Sequence, residues 1–240
     1  METHDWIIAF SAFVSEVLGT LSGFGSSTFF VPLATFFESL KLVLAITSIL
    51  HCFGNISKIY LFKSEINLKS FIRYALPSIV MTGIGATMAI YFSSSWLEKA
   101  LGLFLVIFAI FKFFSKEITK PFSTKASFSL LGLSGFLTGL IGTGGAIRGI
   151  VLSNMAISKD TFVALSAFID FGGDLLRAIL YISNGFMDWS QWFYIPLMMI
   201  AAFLGSFLGK RILSKINQKQ FEKIVSFFIL ISGLTMLLGK

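Results

Sequence analysis

Two sets of polar residues stand inside otherwise apolar sequence and carry the chemistry to hold an ion. The first is a pair of glycine-rich stretches, Ser22-Gly23-Phe24-Gly25-Ser26-Ser27-Thr28 and Gly139-Leu140-Ile141-Gly142-Thr143-Gly144-Gly145-Ala146. Glycine lets the backbone turn sharply and leaves its amides uncovered. A helix that starts directly after such a break aims N–H groups and the positive end of its dipole at it. Ser26, Ser27, Thr28 and Thr143 add hydroxyl donors. The combination suits an anion, with Gly23, Gly25, Ser26, Ser27, Thr28, Gly142, Thr143, Gly144 and Gly145 as the expected contacts. The competing reading is close helix packing through small residues. Arg148, the lone charge of its apolar stretch, belongs with this set, because guanidinium grips oxyanions through two parallel hydrogen bonds. Its structural alternative is a salt bridge to Asp170, Asp174 or Glu16.

The second set is His51, Asn55 and Lys58, spaced i, i+4, i+7 and so on one helix face. Asp170, Asp174 and Arg177 repeat that spacing 119 residues later. Ionisable groups surrounded by lipid are costly and face a cavity or a partner. Asp170, near the middle of its segment, is expected to be a proton-coupling group or to form an ion pair. His51 suits proton coupling or a structural hydrogen bond. Asp174 and Arg177, three residues apart, can neutralise one another. Lys58 and Arg177, near the ends of their segments, have snorkelling to the interface as the plainer reading. Glu16, isolated in the first segment, is a partner for Arg148 or a proton carrier. No metal ligand set or cofactor motif is evident.

These side chains need a scaffold, and the composition defines it. The chain of 240 residues is 55% hydrophobic and 13% charged, with mean hydropathy +0.86 and 29 phenylalanines. Soluble domains carry about 25% charge. Apolar segments cover approximately 6–37, 42–62, 70–92, 96–114, 126–157, 160–182, 190–210 and 219–239. Nothing between them is long and polar enough for an aqueous domain, so residues 1–240 are expected to form a single membrane domain. Cys52 is the sole cysteine, which excludes an internal disulfide and reads as a small core residue. The acidic start, Met1–Asp5, does not resemble a secretory signal peptide. Trp6, Trp96, Trp189 and Trp192 fall near segment ends and read as interfacial anchors.

The net charge of +7 sits in short connections, so it signals cytoplasmic loops rather than a nucleic-acid partner. Stretches 63–73, 112–125 and 209–223 are basic, whereas 93–99 is balanced and 183–191 carries only Asp188. The first three therefore belong inside, and the last two outside, a multi-pass protein of the cell (inner) membrane. From residue 125 to residue 183 the chain must then cross an odd number of times. Segment 160–182 is a natural crossing, so 126–157 must return to its starting side. As one helix it would reach about 48 Å, too long for a hydrocarbon core of about 30 Å. It is also too short for two full crossings. A broken, re-entrant pair of half-helices fits, and segment 6–37 poses the same problem.

Shifting the sequence by 119 positions brings Gly23 onto Gly142, Gly25 onto Gly144, Gly54 onto Gly173 and Pro77 onto Pro196, with 11 identities over positions 18–77. Glycine and proline matches mark shared backbone requirements. The expected fold is an all-α polytopic membrane protein of two inverted repeats, approximately 6–114 and 126–239. Each would hold one re-entrant, glycine-broken hairpin and three transmembrane helices. The alternative is eight simple spans in parallel repeats. Inverted repeats with broken helices are a recurring transporter plan.

The runs Gly23-Phe24-Gly25-Ser26-Ser27-Thr28-Phe29-Phe30-Val31-Pro32-Leu33 and Gly139-Leu140-Ile141-Gly142-Thr143-Gly144-Gly145 resemble the two repeat motifs of the sulfite exporter TauE/SafE family. The resemblance extends to chain length, two-repeat layout and basic middle loop. Ser26 and Ser27 stand where that family often has glycine, Val151 replaces the second-repeat proline, and Arg148 occupies a usually apolar stretch. The resemblance implies a secondary transporter that exports a small anion such as sulfite or an organosulfonate. Its partners would be that anion, membrane lipid and a coupling proton or sodium ion, with a homo-oligomer left open. An anion channel is the alternative. An intramembrane enzyme using Ser26 or Ser27 with His51 is disfavoured, since no Gly-x-Ser-x-Gly elbow is present.

Overall fold

The computed structural model describes residues 2–22, 25–62, 68–114, 122–155, 157–213 and 218–238; Gly23, one of the expected anion contacts, lies outside them. These residues form ten α-helices and no strand. The first half holds α1 (Thr3–Ser22), α2 (Ser27–Ala34), α3 (Leu40–Leu61), α4 (Leu68–Tyr91) and α5 (Ser94–Phe114). The second holds α6 (Thr124–Ile141), α7 (Gly145–Ser153), α8 (Lys159–Ser183), α9 (Tyr194–Leu213) and α10 (Gln218–Leu238), with a short 3-10 turn at Trp189–Gln191. Ser39 and Ser158, identical residues at the 119 offset, start α3 and α8 in the same way. Each side chain accepts a hydrogen bond from a backbone N–H of the first turn, Leu42 and Thr161 respectively.

Both over-long segments break where the glycines predict. Gly25 (φ 87°) and Gly142 (φ 80°) adopt left-handed backbone that other residues rarely take. Each segment then doubles back until its ends meet. His4 Nε2 lies 3.3 Å from Glu38 Oε1. In the second segment, Phe122 donates its backbone N–H to Asn154 Oδ1 at 2.7 Å.

The helices pack in matched pairs across the midpoint of the chain. α1 lies on α9 as α6 lies on α4, and α3 contacts α9 as α8 contacts α4; α3 also packs on α8, and α5 on α10. α3 and α8 run antiparallel: His51 meets Arg177, while Asn55, one turn later, meets Asp174, one turn earlier.

Among the described residues, four helical stretches are long and apolar enough to cross a membrane: Leu40–Leu61, Phe71–Tyr91, Thr124–Ile141 and Trp189–Ile212. The charges of α8 (Lys159, Asp160, Asp170, Asp174 and Arg177) dilute the apolar character of that helix. Phe10, Leu76, Ile107, Phe203 and Phe227 are among the many large apolar side chains exposed on the outside, as a lipid-facing surface requires. Trp6, Trp96, Trp189 and Trp192 are exposed at or near helix ends. Cys52 is half-buried rather than packed in the core.

Candidate functional site

The two glycine breaks meet in the interior. Thr28, in the first turn of α2, and Thr143, just before α7, stand 3.2 Å apart through their hydroxyl oxygens. Arg148 projects from the second turn of α7 and is 2% exposed. Its guanidinium ion-pairs with Asp170 and donates from Nε to Ser166 Oγ at 2.9 Å. Of the three carboxylates open to it from the sequence, it takes Asp170. Gly25 adjoins the same guanidinium: a Cβ there would stand 3.6 Å from Arg148 Nη2. One arginine therefore touches both the break of the first hairpin and the middle of α8.

A second knot joins α3 to α8. Asp174 accepts hydrogen bonds from Asn55 Nδ2 at 2.7 Å and Arg177 Nε at 2.8 Å, and His51 Nδ1 lies 3.5 Å from it. Asn55 and Asp174 are offset mates, 119 positions apart, and they touch. Arg177 is fully buried and paired, so it does not snorkel. Tyr181, one turn beyond Arg177, donates its hydroxyl to the carbonyl of Gly139.

The third knot is centred on Glu16, which is fully buried. Lys58 Nζ sits 2.6 Å from its Oε1, Ser26 donates to Oε2 at 2.6 Å, and Ser206 donates to Oε1 at 2.9 Å. Glu16 thus pairs with Lys58 rather than Arg148, and Lys58 turns inward instead of snorkelling. Room for the carboxylate comes from two glycines: a Cβ on Gly54 would lie 2.6 Å from Glu16 Oε1, and one on Gly205 would lie 2.7 Å from Glu16 Cβ. Together the three knots hold three carboxylates against three basic side chains. Buried charges persist only when paired and hydrogen-bonded in this way.

Between the knots lies a small cavity of about 20 Å³, room for a single water molecule. Gly25, Ser26 and Arg148 of the expected anion contacts line it, as do His51, Asn55, Lys58 and Asp170. Gly19, Thr20, Phe162, Val163, Ser166 and Ala167 complete the wall. Ser27, Thr28, Gly142, Thr143, Gly144 and Gly145 do not reach it. Thr28 and Thr143 instead join the hairpins, and the Gly144 carbonyl accepts from Ser134 Oγ at 2.7 Å. Glu16, Asp174 and Arg177 stand behind the wall and hold the side chains that form it. Ser166 lies four residues before Asp170 on the same face of α8, a spacing visible in sequence. Ser206 carries no such signal.

Apolar helices wrapped around paired, buried charges and a small cavity define a helical membrane protein. The model of the sulfite exporter TauE/SafE family matches residues 7–236, and the chain belongs to that family. It is 29% identical to a probable membrane transporter protein of Methanocaldococcus jannaschii, over 94% of this chain and 92% of that one. No solved structure matches it. The protein is accordingly a membrane transporter of the TauE/SafE family.

Proposed function

We propose that this transporter carries a small oxyanion of the sulfite or organosulfonate class out of the cell, by alternating access between two inverted repeats. The observation that carries the reading is Arg148, a buried guanidinium in the cavity wall, beside the first glycine break. The paired core is electrically balanced, so an arriving anion must replace Asp170 on Arg148. Protonation of Asp170 frees the guanidinium at that moment, so a proton rather than sodium accompanies the anion outward, Asp170 is the coupling group, and the anion's own outward gradient drives the step.

The inverted arrangement is supported by α3 and α8, offset mates that run antiparallel, and by the basic loops, which put their C-terminal ends on opposite sides. Both hairpins are then re-entrant, the first from outside and the second from inside. On this reading the cavity lies towards the cytoplasmic ends, beside Lys58 in the last turn of α3 and Phe162 near the start of α8. The mates of its wall residues Phe162, Val163 and Ser166 are Val43, Leu44 and Thr47, all fully buried.

Purified protein in liposomes should take up sulfite and simple sulfonates saturably, faster with the same anion on the far side, and in response to a proton gradient. Unsaturable, ohmic flux would instead mark a channel. Asp170→Asn should change the pH profile of uptake; an unchanged profile would remove Asp170 as the coupling group.

A further inference from the structure

His51 lines the cavity and is 6% exposed, yet its Nε2 has no hydrogen-bond partner. An unsatisfied buried polar atom is destabilising, so its retention calls for a reason. The other ring nitrogen fixes what Nε2 offers. Nδ1 lies 3.3 Å from Arg177 Nη2, and a guanidinium can only donate. Nδ1 accepts that bond in the neutral tautomer that carries its hydrogen on Nε2. When the ring is protonated, the added hydrogen on Nδ1 faces Asp174 Oδ2 at 3.5 Å, and Nε2 keeps its own. In that tautomer and in the protonated ring alike, Nε2 carries an N–H on the side away from the Asp174–Arg177 pair.

We propose that His51 Nε2–H is a direct ligand of the transported anion and acts alongside Arg148. The assignment rests on the reading that this cavity binds a small oxyanion. The planar fork of Arg148 takes one edge of the anion, two oxygens at most. Sulfite and sulfonates have a third oxygen, and the imidazole N–H takes it. The ligand class is therefore a pyramidal or tetrahedral oxyanion with three acceptor oxygens, in preference to a planar carboxylate, which has only two.

Two substitutions separate the donor from the ring's structural contacts. His51→Asn keeps a polar group at the position of Nδ1, towards Arg177 and Asp174, and removes the donor at Nε2. His51→Gln places an amide N–H near the position of Nε2. Ethanesulfonate, a monoanion throughout the accessible pH range, is titrated calorimetrically into each full-length variant in detergent, with acetate as the planar comparison. Wild type should bind ethanesulfonate more tightly than acetate. His51→Gln should keep ethanesulfonate affinity within about threefold of wild type, and His51→Asn should lose about tenfold or more. His51→Asn binding as wild type does, or His51→Gln as weak as His51→Asn, would overturn the assignment while leaving the anion site intact. Absence of ethanesulfonate binding by wild type would overturn both.

Discussion

Replacing Arg148 by alanine is expected to abolish the thermal stabilisation that sulfite or a sulfonate gives the purified protein. A ligand at about one hundred times its dissociation constant stabilises the folded state by about 2.7 kcal/mol, and in the variant this gain should fall to near zero. The reason is geometric. Arg148 is the guanidinium in the cavity wall, fixed by Ser166 and Asp170 at the point where the first glycine break approaches α7. Arg148→Lys should restore part of the effect, since it returns the charge without the planar fork. Alanine also deprives Asp170 of its partner and lowers the baseline, so the shift is read against each variant's own unliganded melting temperature. A ligand shift as large in Arg148→Ala as in wild type would exclude the contact.

Asp174→Ala is expected to have the largest effect on stability. Asp174 is fully buried and holds Asn55, Arg177 and His51, joining α3 to α8. Its removal leaves Arg177 buried without a counter-charge, a loss of about 3–5 kcal/mol. Most of the protein should then fail to survive detergent extraction in a monodisperse form. Asp174→Leu combined with Arg177→Met should recover much of the stability, because an apolar pair removes both charges together. Transport should remain impaired in that double variant, with His51 no longer held from behind. An Asp174→Ala protein that melts within about 1 kcal/mol of wild type would show that the knot is not structural.

Much of the scaffold is legible in sequence because the membrane permits few solutions. Segments of 32 residues that are too long for one crossing and too short for two must break, and glycines mark where. The serines that start α3 and α8, and the i, i+4, i+7 faces that carry the charges, follow from helix geometry alone. The pairing of those charges is another matter. In the sequence Glu16 reads as a partner for Arg148 or a proton carrier. What selects Lys58 is the room left by Gly54 of α3 and Gly205 of α9, and those helices approach Glu16 only in the folded protein. Ser206 and Tyr181 escape sequence reading for the same reason: each bonds across a helix interface to a group 190 and 42 residues away, respectively. Thr28 and Thr143 read as anion donors in the chain, but the fold uses them to join the two hairpins.

The proposed alternating-access mechanism requires two halves of opposite orientation, with hairpins that enter from opposite faces and meet around the charged core. Lys69, in the first turn of α4 after the α3 connection, and Asp188, just after α8, occupy corresponding places in the two halves and are both exposed. Single cysteines at these positions, in a background where Cys52 is replaced by serine, can be tested in cells with a maleimide that does not cross membranes. Cysteine at 188 should react in intact cells, and cysteine at 69 only after the membrane is permeabilised. Labelling of both from the same side would contradict the inverted arrangement and, with it, the alternating-access mechanism.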